Sequence, residues 1–301
     1  MRILYLGMPI GALMLLREGH TLAAACISRP EAPGMHRLRK ALAASGAPLL
    51  GRPDLSQQGV QALLATTAPD LVVSWFWTRR IPATLVELAP HGGINVHPSL
   101  LPRHRGPDPY FWTLFRGDAQ TGVTVHRIAD DYDAGVVLLQ RTVAVPDGVD
   151  AGRLARHLDR PSLEALRDVV AGMERGEIGD AGESQDASKV TEAPRPTDDD
   201  CEILWDEPVE RVLARIRAAS PDPGAFTGVG DRTVVVLAAQ RSPVSPKGLD
   251  PGDVAWLDGG VVVACGDGAI LLTRARDEES EVSLGGEKIA GLFPGLRRVG
   301  P

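Results

Sequence analysis

Six short apolar runs in the first half of the chain, at 2–6, 22–28, 71–74, 94–97, 122–128 and 136–145, do most to limit how it can fold. Between them lie stretches with helical spacing, clearest at 35–45 and 60–66. Strands that alternate with helices read as βαβ units around a parallel sheet, so an α/β architecture is expected. Residues 151–175 add a helix with Leu163, Leu166, Val169, Val170 and Met173 on one face. From 176 to 200 the periodicity stops and Gly, Asp, Glu, Ser, Pro and Thr take over, the composition of an exposed linker. Beyond it Val209, Val212, Leu213 and Ile216 recur at helical spacing behind Pro208, a proline suited to a first helical turn. Short apolar runs at 233–238, 261–264 and 269–273, punctuated by glycines, then fit a small barrel. At 301 residues there is enough chain for two separate cores.

Cys26, Cys201 and Cys265 are an odd set without metal-type spacing, which points to a reduced, cytoplasmic setting. The apolar stretch at 8–16 is broken by Arg17-Glu18-Gly19-His20 and no run approaches a membrane span, so a soluble protein with no membrane partner is expected. Charge is unevenly placed. Residues 197–301 hold 11 Lys and Arg against 18 Asp and Glu, whereas residues 1–196 hold 21 of each, so the whole net charge of −7 falls on the C-terminal part. A nucleic-acid-binding module normally carries the opposite sign, because neutralising phosphates dominates its affinity. Gly7-Met8-Pro9-Ile10-Gly11 lacks the spacing of the dinucleotide-binding fingerprint and reads as glycine at the start of a helix.

The chemistry-bearing residues gather at 94–140. Successive strand side chains point to opposite faces, so Asn95 and His97 share one face at the carboxyl end of their strand, where Pro98 stops it. An amide donor beside a titratable imidazole suits a site that stabilises a developing oxyanion while handling a proton. Downstream come Arg103-His104-Arg105-Gly106, Gly122-Val123-Thr124-Val125-His126 and Asp130-Asp131-Tyr132-Asp133-Ala134-Gly135. The composite N-x-H-P-S-L-L-P-x-x-R-G, followed by G-x-T-x-H and D-x-G, resembles the folate-dependent formyltransferase family, whose members act on methionyl-tRNA, glycinamide ribonucleotide or sugar nucleotides. A second stretch, Ile203-Leu204-Trp205, Pro208, Arg217-Ala218 and Pro223-Gly224-Ala225-Phe226-Thr227, is similar to the C-terminal domain of the methionyl-tRNA and sugar-modifying members. The resemblance implies a Rossmann-like, mostly parallel catalytic domain over 1–190, a linker at 191–201, and a small open β-barrel of OB-like type over 202–301.

It also implies roles. Asn95, His97 and Asp133 match the catalytic positions. An acceptor amine would attack the formyl carbon of 10-formyltetrahydrofolate while the Asn95 amide and a protonated His97 donate to the formyl oxygen. Asp133 would favour the charged imidazole and help move the amine proton. Three segments are implied to line the folate pocket: Trp75, Phe76 and Trp77; Ser99, Leu100, Leu101 and Pro102; and Asp130, Asp131, Tyr132 and Ala134. Arg103, Arg105 and Tyr110 are candidates to meet the acceptor, although the two arginines read equally well as a solvated loop pair. His126 is left to packing or hydrogen bonding in the sheet, and no Cys/His cluster suggests a metal. The stretch 29–35 is short and lacks the lysine cluster usual in methionyl-tRNA formyltransferases. With the acidic C-terminal part, this favours a small-molecule amine (an amino sugar nucleotide, an amino acid or a hydroxylamine), with methionyl-tRNA as the alternative. A formyltetrahydrofolate hydrolase and a non-catalytic folate-binding protein are the readings outside transfer.

Overall fold

The structure is a computed structural model that describes residues 1–179, 181–244, 248–257, 260–280 and 282–294, with the backbone of 297–298. The chain divides into two compact units. The first comprises Met1–Pro109, Gln120–Ala144 and His157–Pro194, the second Tyr110–Ala119, Val145–Arg156 and Arg195–Pro301.

In the first unit, β1 (Arg2–Gly7), β2 (Thr21–Ile27), β3 (Leu49–Gly51), β4 (Leu71–Trp75), β5 (Gly93–His97), β6 (Gln120–Arg127) and β7 (Val137–Ala144) form one sheet, in the order β3-β2-β1-β4-β5-β6-β7. β1 to β5 are parallel, and β6 and β7 extend the sheet antiparallel. The mostly parallel sheet expected from the strand–helix alternation is present. β1, β2 and β4 bury nearly every residue, as strands covered on both faces must, which is why they read as unbroken apolar runs. Helices α1 (Pro9–Arg17), α2 (Met35–Ser45), α3 (Gln58–Ala65) and α4 (Ala83–Val86) follow β1, β2, β3 and β4. α5 (Pro109–Phe115), which from Tyr110 on belongs to the second unit, precedes β6, and α6 (Ala151–Glu174), which belongs to the first unit from His157 on, follows β7. α2 lies between Gly34 and Gly46, both with left-handed backbone, and buries Leu38 and Leu42.

The chain winds from β1 out to β3 and then returns to β4 on the other side of β1. At such a switch point the carboxyl ends of neighbouring strands leave a crevice between their loops. The loops after β1 and β4 meet there, with Met8 N donating to Trp75 O at 3.3 Å. β3 and α5 escape a reading by periodicity because one is 3 residues long and the other starts at a proline and is crowded with aromatic residues. The segment 176–200, expected as an exposed linker, is mostly exposed but not wholly unpaired. Glu183 bridges to Val137 and Glu192 to Arg105, so backbone pairing fixes part of this segment although it carries no apolar period.

The second unit holds α7 (Asp198–Cys201), α8 (Val209–Ala219), β8 (Ala225–Val229), β9 (Arg232–Arg241), β10 (Val254–Leu257), β11 (Gly260–Cys265), β12 (Gly268–Asp277), β13 (Leu284–Gly285) and β14 (Arg297–Arg298). Its sheet runs β14-β10-β11-β12-β9-β8, with β13 on β12. All its pairs are antiparallel except β10 with β14, making a C-terminal antiparallel β domain. The apolar face of α8 (Val209, Val212, Leu213 and Ile216) shares a core with Val234, Val236, Val261, Val263, Ile270 and Leu272. Among the described residues no helix is long and apolar enough to cross a membrane.

Candidate active site

The register of β5 against β6 builds the site. Antiparallel pairing sets Asn95 opposite His126 and His97 opposite Thr124, and because residues two apart share a face, all four look the same way. Thr124 fastens the turn after β5. Its hydroxyl donates to Ser99 O (2.7 Å) and accepts from Leu101 N (3.1 Å) and Gln140 Nε2 (2.9 Å). At Gly122 a Cβ would collide with Arg141 O on β7 and come within 2.5 Å of Leu100 Cδ2, so the glycine lets the β7 backbone approach closely and leaves room for the turn on β6. Each fixed position of G-x-T-x-H thus has its own physical task.

Asp133 completes the cluster from the loop between β6 and β7. Its Oδ1 accepts from Asn95 Nδ2 (3.3 Å) and lies 3.4 Å from His126 Nε2. Its Oδ2 accepts from Gly106 N (3.0 Å) and lies 3.4 Å from His97 Nδ1. Asn95 Nδ2 is also 3.1 Å from His126 Nε2, and His126 Nδ1 is 2.8 Å from Arg127 O. With its Nδ1–H on that carbonyl, His126 offers a bare Nε2, and the two amide hydrogens of Asn95 divide between His126 and Asp133. His97 Nε2 donates to His104 O (2.8 Å), which turns its Nδ1 toward the carboxylate.

Burial alone would push the Asp133 carboxyl up. With the imidazoles protonated, as where this carboxyl titrates, the charge of His97, the hydrogen bond and charge of His126, and the Gly106 N–H outweigh it and hold the group at about 2. Burial drives His97 below its usual value; Asp133 and the His104 carbonyl pull it back only in part, while His126 and His104 add to the fall. The resting pair is therefore an ionised Asp133 beside a neutral His97, where the sequence suggested a protonated imidazole. Asn95 and Gly106 go on donating to the carboxylate whichever state the imidazole takes. Of the five non-glycine residues with positive φ among the described residues, three lie in this neighbourhood: Phe76, His104 and Asp133. Such backbone costs energy and persists where surrounding contacts enforce it, as at functional sites.

The other expected contacts fall out unevenly. The Trp75 ring is buried and its Nε1 donates to Ser162 Oγ on α6 (2.9 Å), so it is a core side chain rather than a wall of an open pocket. Phe76 stands edge-on to Trp75, and both Phe76 and Trp77 are half-buried. Trp77 Nε1 is buried without a hydrogen-bond partner among the described residues. Ser99 is fully buried and donates to Arg103 O (2.6 Å), closing the turn. Leu101 is buried, while Leu100, Pro102 and Arg103 are half-buried. Asp130, Asp131 and Tyr132 are exposed and Ala134 is half-buried. Arg80 Nη2 reaches Asp130 O (3.3 Å), tying the loop after β4 to the 130–134 loop. The Arg105 guanidinium is engaged by Gln185 Oε1 through Nε (3.0 Å) and Nη2 (2.7 Å). Tyr110 belongs to the second unit, packed against that unit's core.

The sequence missed Gln185, Thr191 and the share of His126 in the cluster. Antiparallel register opposite Asn95 could have found His126; Gln185 and Thr191 sit in an aperiodic polar stretch that gives no signal. Among the described residues no group of three or more His, Cys, Asp or Glu is arranged to hold a metal.

The family described as formyl transferase matches residues 26–170, and the formyl transferase C-terminal domain matches residues 196–290. The chain is 36% identical to a methionyl-tRNA formyltransferase of Anaeromyxobacter dehalogenans strain 2CP-1, across 99% of this chain and 98% of that protein. It is 33% identical to another from Syntrophus aciditrophicus, across 92% and 91%. Among solved structures it is similar to HypX from Aquifex aeolicus in complex with tetrahydrofolic acid, with a TM-score of 0.69 and 21% identity. That match covers 100% of this chain, which spans about half (49%) of the HypX chain. It is also similar to WlaRD, a sugar 3N-formyl transferase in the presence of dTDP and 5-N-formyl-THF, with a TM-score of 0.67 and 12% identity over 93% of this chain and 98% of that one. These two likenesses are of fold.

Proposed function

The chain belongs to the formyl transferase family, and on that premise we propose that it carries the formyl group of 10-formyltetrahydrofolate to the amino group of methionyl-tRNA. The observation that carries the acceptor is the 36% identity to a methionyl-tRNA formyltransferase over nearly the full length of both chains. The expectation of a small amine rested on the short stretch 29–35 without a lysine cluster, on a shortened first helix, and on net charge, which averages over surface that a partner never meets all at once. Residues 29–127 hold 11 Lys and Arg against 6 Asp and Glu. Arg29, Arg52, Arg79 and Arg80 stand exposed in the loops after β2, β3 and β4, a sign of charge that suits phosphates. A small-amine acceptor remains the second reading, favoured by the net −7 of residues 197–301.

When bound, the folate supplies an electrophilic formyl carbon. Phe76, Trp77 and the 130–134 loop would hold it: two half-buried rings and a buried, unpaired indole N–H suit a flat polar heterocycle. Asn95 donates to the formyl oxygen by releasing one of the hydrogens it shares at rest with His126 and Asp133. The bare Nδ1 of His97 accepts the amine proton, and the imidazolium so formed lies 3.4 Å from the Asp133 carboxylate, which stabilises it. His126, oriented by Arg127 O, keeps the Asn95 amide turned for this exchange.

Formyl transfer from 10-formyltetrahydrofolate measured on methionyl-tRNA beside a panel of small amines tests the reading. Rapid formylation of methionyl-tRNA is expected. Turnover of a small amine but not of methionyl-tRNA moves the acceptor to the second reading, and formate release without any amine makes the protein a hydrolase.

A further inference from the structure

The segment 183–193 does more than lead from one unit toward the other. Gln185 is half-buried and spends its whole hydrogen-bonding capacity on two loops of the site. Its Nε2 donates to Asp133 O (2.7 Å) and Gly135 O (2.8 Å), and its Oε1 accepts from Arg105 Nε and Nη2. One loop presents the Asp133 carboxylate. The other presents the Gly106 N–H that binds that carboxylate and the His104 carbonyl that binds His97.

Its neighbours repeat the pattern. Glu183 exchanges both backbone hydrogen bonds with Val137 (2.8 and 2.9 Å). Thr191 Oγ1 accepts from His104 N (2.9 Å), Thr191 O from Arg105 N (2.9 Å), and Ala193 N donates to Arg105 O (2.6 Å). At Gly106, where φ is +117°, a Cβ would sit 2.8 Å from Ala193 O, so only glycine lets the segment pass this close. Asp133 itself has φ +54°, a conformation a non-glycine residue keeps only under constraint.

We propose that Gln185 is a positioning residue for Asp133, and that residues 183–193 form a strap holding the two catalytic loops in register. The inference rests on the reading that Asp133 and His97 handle the proton. His97 faces Asp133, His104 and His126. Of these, the Asp133 carboxylate and the His104 carbonyl oppose the effect of burial on the imidazole, the carboxylate more strongly, so a carboxylate that drifts away lets His97 titrate at lower pH.

Gln185→Glu keeps the partnership with Arg105 but turns an oxygen toward two carbonyls; Gln185→Asn keeps the amide and shortens its reach. Both are assayed on methionyl-tRNA, or on the best small amine of the panel if that acceptor fails. We expect kcat to fall about ten- to hundredfold, the cost of a misplacement near 1 Å, with acceptor KM little changed. The acidic limb of kcat should move to lower pH, and Gln185→Asn should retain more activity than Gln185→Glu. Thr191→Val, which removes the Oγ1 acceptor from His104 N while keeping the backbone pairing, should shift the limb the same way and serves if both Gln185 variants misfold. Wild-type kcat, or a loss of thermal stability with an unmoved acidic limb, overturns the proposal. Asp133→Asn run alongside separates the two ideas: if it stays active the proton-handling reading fails, and if it is inactive while the strap variants behave as wild type only the strap fails.

Discussion

Replacing Asp133 by Asn isolates a single charge. The residue has φ +54°, and asparagine tolerates left-handed backbone nearly as well as aspartate, so the substitution is close to neutral in shape and conformation. The carboxyl falls from 3.8 to about 2 on folding, and its side chain is only 11% exposed, so solvent screens it little. A shift of this size corresponds to about 2 kcal/mol of stability. Because the folded value is the lower one, that contribution is complete above the unfolded value and is lost as pH falls through about 2. Asp133→Asn should therefore unfold more easily in urea by up to about 2 kcal/mol at a pH where the carboxylate is ionised and His97 still charged, with roughly half the difference left near pH 3. The difference should be less at pH 7, where His97 is neutral and the donors Asn95 and Gly106 carry the stabilisation. Turnover should drop about 10²–10⁴-fold, as for loss of a group that moves or stabilises a proton. Equal stability just above the unfolded carboxyl value, or a difference independent of pH, would refute the electrostatic account of the cluster. Near-normal turnover would remove Asp133 from the chemistry.

Two further outcomes follow from the same geometry. The kcat–pH profile of the wild type should lose activity on an acidic limb below about 6.5, where protonation removes the bare Nδ1 of His97, and a limb above that value would contradict the lowered titration of this buried imidazole. Thr124→Val should destabilise the fold by roughly 2–5 kcal/mol in thermal or urea unfolding, because Leu101 N–H and Ser99 C=O lose their buried partner. Thr124→Ser should restore most of the loss, and a valine variant as stable as wild type would show that the turn is pinned by something else.

Much of the first unit was legible because its information is local. Strands β1, β2 and β4 bury both faces and so announce themselves as apolar runs, and α2 spans the very residues its period marks. Asn95 and His97 were legible as a pair through strand alternation alone, since two residues' spacing is enough to put both on one face. The share of His126 in the site was not, because it depends on which residue of β6 stands opposite Asn95, and register is set by pairing far apart in sequence. Trp75 was misleading for the opposite reason: an aromatic beside a functional loop looks available, yet its place as the last residue of a doubly covered strand commits the ring to the core. Gln185 was invisible. A polar side chain in an aperiodic stretch carries no sign of the two loops it will reach, and only the fold supplies them.

The resting cluster is satisfied from within, and that bears on how it can act. Both hydrogens of Asn95 are engaged, His97 Nε2 is held by a carbonyl, and each oxygen of Asp133 accepts a hydrogen bond. A formyl oxygen entering the site must therefore take a donor from an existing partner. While that oxygen is neutral the exchange gains little, because a carboxylate is the stronger acceptor. In the proposed transfer, an amine adding to the formyl carbon would put negative charge on the oxygen, and the same hydrogen would be worth progressively more there. A proton passed from the amine to His97 would at the same time reduce the demand of Asp133 for donors. Binding that is weak in the ground state and strong in the transition state is what lowers a barrier, and here it arises from competition among groups that already satisfy one another.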